Sequence, residues 1–317
     1  MIIGVSCLII GILIGTMVTN PKGIPFVGKK RHKAIGLYTG KSPFSLSPAL
    51  NVSTPILRAH DINDVQAEYV TDPFVVKEGA IWFMFFGVRK KTSKLGAIGL
   101  ATSTDGLNWE YQRIVLNEPF HTSYPYIVKW KDEFYMIPDS SGSDTVRLYK
   151  AHDFPNEWKL VKTLLNGNFV DPTLFRSRDM WWMFAESNPN GNDRLSLFFA
   201  EDLEGPWMEH PMSPIVNGNG HIARPGGSIL NVANRLIRFT QDDEPSYGNK
   251  LWAFEITHLS KTDYQEKQVG NIPVLREGAM SWNNLGIHHI DLHQEAPDFW
   301  LAFVSGHGDT WVIGADH

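Results

Sequence analysis

The chain has 317 residues, 43% hydrophobic and 20% charged, which is a globular composition with ample material for a core. Its net charge of −5 offers no basic footprint, so nucleic acid is not an expected partner. Cys7 is the single cysteine, which excludes an intramolecular disulfide.

Met1 to Val18 is an apolar run without a charge, just long enough to span a bilayer as a helix. No lysine or arginine precedes it and no Ala-x-Ala site follows, so a membrane anchor of signal-anchor type is expected over a cleaved signal peptide. Lys22, Lys29, Lys30, Arg31 and Lys33 follow the run. By the positive-inside rule they would leave the globular part in the cytoplasm; an exported domain is the alternative, and the side of the membrane stays open. Residues 19–60, rich in Pro, Gly, Ser and Lys, read as a juxtamembrane linker plus a strand that opens or closes the domain.

From 61 to 317 one pattern recurs: a residue before proline, a short apolar strand, a turn, then an aromatic strand. It begins at Thr71-Asp72-Pro73-Phe74, Ser123-Tyr124-Pro125-Tyr126 and Val170-Asp171-Pro172-Thr173. It returns more loosely at Ala223-Arg224-Pro225-Gly226, and without the proline at Ile287-His288-His289-Ile290. Intervals of 52, 47, 53 and 65 residues separate positions 72, 124, 171, 224 and 289. Radial β repeats of one four-stranded blade per unit have periods of roughly 40–50 residues. The fold predicted is therefore all-β, a five-bladed β-propeller behind an N-terminal transmembrane helix. Further strands are expected at 96–103, 145–151, 195–200, 251–257 and 298–313. Asp105-Gly106 supplies a hairpin turn, and Trp109, Trp158 and Trp207, which recur near each fourth strand, read as packing between blades.

In a propeller the innermost strands converge on a central channel. The repeat therefore places Asp72, Tyr124, Asp171, Arg224 and the His288-His289 pair around one mouth. A lone Asp-Pro is usually turn chemistry, but hydrophobic packing does not ask for two Asp, an Arg, a Tyr and two His at equivalent positions. Asp139, Glu186 and Asp242, each near the end of a blade's second strand, add carboxylates. Paired carboxylates across a cavity are what glycoside hydrolysis needs. His289 and Asp291, two apart on a strand, share a side and could bind a sugar hydroxyl or phosphate. His121, His221, His288 and His289 come from different blades without metal-site spacing, so neither a metal nor a cofactor is expected.

Asp72 in Thr-Asp-Pro-Phe and Asp171 in Val-Asp-Pro-Thr resemble the blade-one and blade-three carboxylates of glycoside hydrolase family 43. That resemblance implies that Asp72 is the general base and Asp171 the positioning carboxylate. The family's acid, a Glu opening blade four, is replaced here by Arg224, which cannot donate a proton at neutral pH; Asp139 or Glu186 is the substitute. A closer resemblance is carried by His121-Thr-Ser-Tyr124-Pro-Tyr126, Tyr135-Met-Ile-Pro-Asp139-Ser140, Trp181-Trp-Met-Phe184, Arg238-Phe-Thr-Gln241-Asp242, Tyr247-Gly248 and Gly286-Ile-His-His-Ile-Asp291. These are similar to the propeller in the N-terminal region of plant glucosamine inositol phosphorylceramide transferases, and to the propeller of bacterial proteins that join it to a formyltransferase domain. The resemblance departs at Gly87, where an acidic residue is expected, and at Asp139, where Glu is usual.

The expectation is a single-pass membrane protein whose propeller binds or acts on a carbohydrate or glycolipid headgroup. His121, Tyr124, Arg224, Gln241, Asp242, Tyr247, His288, His289 and Asp291 would contact the ligand. The alternative is a non-catalytic glycan-binding module that serves a glycosyltransferase or another glycan-modifying transferase.

Overall fold

The computed structural model describes residues 27–313 and, ahead of them, Gly11. The expected membrane span therefore lies outside the described residues, apart from Gly11. Among the described residues no helix is long and apolar enough to cross a membrane.

Five antiparallel sheets form the predicted propeller. Blade one runs Ala67–Glu78, Ile81–Lys90, Gly96–Ser103, Glu110–Leu116, and blade two Ser123–Trp130, Glu133–Asp139, Thr145–Asp153, Glu157–Asn166. Blade three is Val170–Ser177, Met180–Glu186, Arg194–Ala200 and Met208–Glu209, with Val216–Asn217 also pairing to its third strand. Blade four is Leu230–Val232, Arg235–Asp242, Lys250–Leu259 and Tyr264–Gln268.

Blade five joins the two ends of the stretch 27–313. Its inner strands, Gly286–Ala296 and Phe299–Ile313, are completed by Val27–Ser42 and Ser45–Pro48. Within the segment read as linker plus an opening or closing strand, 27–48 thus supplies half a blade. The long register from Val27↔Ile313 to Gly40↔Trp300 ties the ring shut.

Broad aromatic side chains fill the wedges between blades, as large flat groups do best between facing sheets. Trp158 of blade two meets Phe85 of blade one edge-on at 5.4 Å, and Trp109 of blade one meets Phe303 of blade five at 5.4 Å. In each of blades one to three the recurring tryptophan donates Nε1–H to a nearby turn carbonyl: Trp109 to Gly106, Trp158 to Pro155, Trp207 to Leu203. The apolar body fills the wedge while the polar edge is satisfied.

In blades one to three the residue before the proline owes its direction to a break in the ladder. Register slips between Thr71 and Phe74, Ser123 and Tyr126, and Val170 and Thr173. Proline has no N–H to give the ladder, and the pair it belongs to bulges out. Asp72, Tyr124 and Asp171 consequently sit at φ of 52°, 46° and 52°. Left-handed backbone at non-glycine residues costs of order 1–3 kcal/mol each and persists only where surroundings impose it. Blade five makes the same slip between Ile287 and His289 without a proline, which assigns His288 to the repeat position.

Candidate active site

A cavity of about 210 Å³ lies at one end of the axis; of the residues expected around the mouth at the repeat positions, Asp72 and Arg224 line it, whereas Tyr124, Asp171, His288 and His289 do not. Blade one contributes Tyr69, Thr71, Asp72, Gly87 and Arg89; blade two and its approach contribute His121 and Asp139; blade four contributes Arg224 and Tyr247; blade five contributes Lys33. The second-strand positions are equivalent as well, because Thr71 pairs with Gly87, Ser123 with Asp139 and Val170 with Glu186.

Asp72 is buried, accepts the Thr71 hydroxyl at 2.9 Å and lies 3.4 Å from His288 Nε2. Burial alone would raise its pKa, but the His288 contact, His289 and the charge of Lys33 outweigh it and hold the carboxyl well below the usual carboxylate range. Burial drives His288 itself down to about 3, so near pH 7 its ring is neutral, with Nε2 3.2 Å from the Thr71 hydroxyl that Asp72 accepts. Asp139 behaves oppositely. Burial and then the charge of Asp171 push it up to about 7, against the Ser141 N–H that it accepts at 2.9 Å. One cavity therefore holds one carboxyl kept ionised and another kept half-protonated near neutrality.

Asp171 lies beneath the mouth. Its Oδ2 receives Arg224 Nε at 2.6 Å and Gln241 Nε2 at 3.1 Å. Gln241 is itself held by the Pro225 carbonyl at 2.9 Å, so it positions Asp171 and is buried away from the cavity. Tyr247 lies over the Arg224 guanidinium, 5.3 Å from ring centre, and over Lys33 Nζ at 4.4 Å. His121 accepts the Gly96 N–H on Nδ1 at 2.8 Å, with Arg89 Nη1 3.3 Å away.

The remaining residues expected at the site are placed elsewhere. Glu186 is fully buried; its Oε1 accepts the Asn188 N–H, its Oε2 has no hydrogen-bond partner, and burial pushes it up to about 7. Asp242 is buried against His221 Nδ1 at 2.9 Å and Trp252 Nε1 at 3.0 Å. Tyr124, His289 and Asp291 close the axis below the cavity. The Tyr124 hydroxyl accepts the Gly227 N–H at 3.0 Å and meets Thr173 Oγ1 at 2.7 Å, which joins blades two, three and four. Gly227 passes so near Ile290 that a Cβ would stand 1.8 Å from its carbonyl oxygen. His289 Nε2 donates to the Pro73 carbonyl at 2.9 Å, and Asp291 accepts the Val75 N–H at 2.8 Å. The two do share a side of their strand, but that side is stapled to the backbone of blade one.

Sequence reasoning missed Lys33, Tyr69 and Arg89, all of which line the cavity. In the sequence Lys33 reads only as one of the cations that follow the apolar run. The signal lay next to it: the apolar stretch from Ala34 to Tyr38 marks a core strand, of which Lys33 is the mouth end. Burial lowers its pKa to about 8, opposed by Asp72 and reinforced by Arg224. Asp243, outside the cavity lining, accepts the Gly248 N–H at 2.7 Å and is pushed up to about 6, chiefly by burial. Among the described residues no three His, Cys, Asp or Glu side chains are grouped to hold a metal ion.

Residues 29–307 match the family described as glucosamine inositolphosphorylceramide transferase 1, N-terminal. The chain is 34% identical over 294 residues to glucosamine inositolphosphorylceramide transferase 1 of Oryza sativa subsp. japonica, and 31% identical over 294 residues to that of Arabidopsis thaliana. Each alignment takes in 86% of this chain but only 40% and 38% of those proteins, so the chain spans about two fifths of their length. Among solved structures, an exo-1,5-alpha-L-arabinanase from a bovine ruminal metagenomic library superposes with a TM-score of 0.58 at 13% identity, over 77% of this chain and 93% of that one. The catalytic domain of a Coprinopsis cinerea GH62 alpha-L-arabinofuranosidase superposes at 0.57 and 11% identity, over 85% and 97%. These two likenesses carry the glycoside-hydrolase propeller fold and nothing finer.

Proposed function

Because the chain belongs to the glucosamine inositolphosphorylceramide transferase 1 N-terminal family, we propose that its axial cavity binds the sugar of a carbohydrate or glycolipid headgroup, with residues 1–18 anchoring the propeller to a membrane. The observation that carries this reading is the meeting of Asp72, Asp139, Lys33 and Arg224 around one recess. Convergent polar and charged groups in a concave site are the mark of a ligand pocket. At about 210 Å³ the recess is smaller than the roughly 300–1,000 Å³ pockets of drug-sized ligands, which suits a single ring rather than a chain. Lys33 and Arg224 would neutralise an acidic substituent such as phosphate, uronate or sialate.

The opposed protonation states of Asp72 and Asp139 favour a hydrolytic role. Environments that separate two carboxyl pKa values commonly assign the base and the acid. Asp72 would take a proton from water as it attacks the anomeric carbon, and Asp139 would protonate the leaving oxygen. The second reading is an accessory module that presents the headgroup to a glycosyltransferase. The Arg224–Asp171 pair favours it, since the positioning carboxylate is already engaged.

Glycan arrays and chromogenic glycosides test both, with the parent chain, Asp72→Asn and Asp139→Asn. Turnover lost in both variants with binding retained supports hydrolysis; binding without turnover in the parent supports the accessory role. No binding to any sugar overturns the carbohydrate reading. Carbonate extraction of membranes carrying the chain with and without residues 1–18 tests the anchor.

A further inference from the structure

The two middle strands of blade five run on past the site. The inner strand Gly286–Ala296 starts at the Gly286↔His307 pair, whereas Val27–Ser42 and Phe299–Ile313 continue together to Val27↔Ile313. The Lys33↔His307 pair marks the level of the cavity, because Lys33 lines it and Ser305 Oγ lies 3.0 Å from Thr71 Oγ1. From His32↔Gly308 outward the two strands form a ribbon on the mouth side. At ~3.3 Å per residue its length is about 20 Å. The hairpin between Ala296 and Phe299 lies at the opposite face.

Asn284 stiffens the ribbon by accepting the Asp309 N–H at 2.8 Å and donating to the Asp309 carbonyl at 3.0 Å. The ribbon exposes Lys29, Lys30 and Arg31, and Trp311 stands 70% exposed with Lys29 Nζ 5.2 Å from its ring centre. Met280 and Leu285, on the loop that backs it, are also exposed. A tryptophan flanked by cations and apolar side chains suits the headgroup layer of an anionic bilayer. In sequence, only residues 19–26 separate the apolar run from the first ribbon pair. Eight residues reach at most about 29 Å.

We infer that the mouth of the cavity faces the bilayer. The ribbon docks on an anionic membrane surface and turns Lys33, Asp72 and Arg224 toward sugars carried on lipid rather than glycans free in solution. This rests on residues 1–18 spanning the membrane.

The test uses the full chain in a Cys7→Ser background, carrying either Thr310→Cys or Asp298→Cys. Thr310 lies near the far end of the strand Phe299–Ile313 and Asp298 immediately before its start, about 40 Å apart at ~3.3 Å per residue. Each is labelled with a donor fluorophore and reconstituted into phosphatidylcholine vesicles, with or without phosphatidylserine, that hold an acceptor lipid in the outer leaflet. The label at 310 should be quenched severalfold more than the label at 298, and more strongly with phosphatidylserine. Lys29→Glu, Lys30→Glu and Arg31→Glu together should abolish that phosphatidylserine-dependent gain. Equal quenching, or stronger quenching at 298, in protein that still floats with vesicles after a carbonate wash overturns the orientation and leaves the anchor standing. Protein that fails to float removes the anchor, and the orientation with it.

Discussion

Arg224 closes on Asp171 with Nε 2.6 Å from Oδ2, while its Nη1 donates to Asn192 Oδ1 at 3.1 Å. The two residues come from blades three and four, at the repeat positions where a carboxylate and a general acid stand in the resembling hydrolases. Here they form one buried ion pair.

Breaking that pair from one side should be severe. Arg224→Met leaves Asp171 buried with Gln241 as its remaining donor, and loss of one partner of a buried pair costs about 3–5 kcal/mol. The double variant Asp171→Asn/Arg224→Met should recover most of the loss, as read from urea denaturation midpoints at constant slope. A double variant no more stable than Arg224→Met would show that the pair is not what the arginine provides.

Asp139 should make stability pH-dependent in a defined direction. Its folded pKa of about 7 exceeds its ordinary value of 3.8, so the folded state holds a proton that the unfolded state releases. The stabilisation is complete below about 4 and is lost as pH rises through about 7. Glu186 and Asp243 act in the same sense, whereas His288 and Asp72, whose pKa values are lowered, act against it. The difference between parent and Asp139→Asn isolates the one group: the variant's advantage should grow from pH 4 to pH 8. A flat difference would mean that the carboxyl is solvated in solution.

Lys33 should govern acidic ligands. Charge-assisted hydrogen bonds contribute about 1.5–3 kcal/mol, so Lys33→Met should weaken binding of a uronate or phosphorylated sugar by roughly 10- to 100-fold and change neutral sugars far less. With its pKa lowered to about 8, the affinity of the parent for an acidic sugar should fall as pH rises through that value. Isothermal titration at pH 6.5 and 9 reads both effects, and equal losses for acidic and neutral sugars would reject the role.

Tyr124→Phe should destabilise the closed axis without a change in volume. It removes the acceptor of the Gly227 N–H and the partner of Thr173 Oγ1. A buried donor left unsatisfied costs about 1–3 kcal/mol, which thermal or urea melts would register. A variant as stable as the parent would mean that water replaces the hydroxyl.

The ring was legible from local chemistry. A residue-proline pair ahead of an aromatic strand pair recurs at blade spacing in four repeats, with a fifth that lacks the proline. This pattern counts the blades and places Asp72, Tyr124 and Asp171 at equivalent positions on the innermost strands; that they sit on bulges is what the structure adds. Asp139 and Glu186 read in the sequence as carboxyls near the end of a blade's second strand, and the register sets both beside those bulges, but only Asp139 lines the cavity. Tertiary structure decided which of these groups share space. Lys33 enters the cavity because the N-terminal strand closes blade five, a pairing between residues some 270 positions apart that no local pattern encodes. Asp171 is engaged by Arg224 from the next blade, and His289 and Asp291 spend their polar atoms on the backbone of blade one. Periodicity reports the unit each strand belongs to, but the partner a side chain meets across a wedge or an axis depends on how neighbouring units pack.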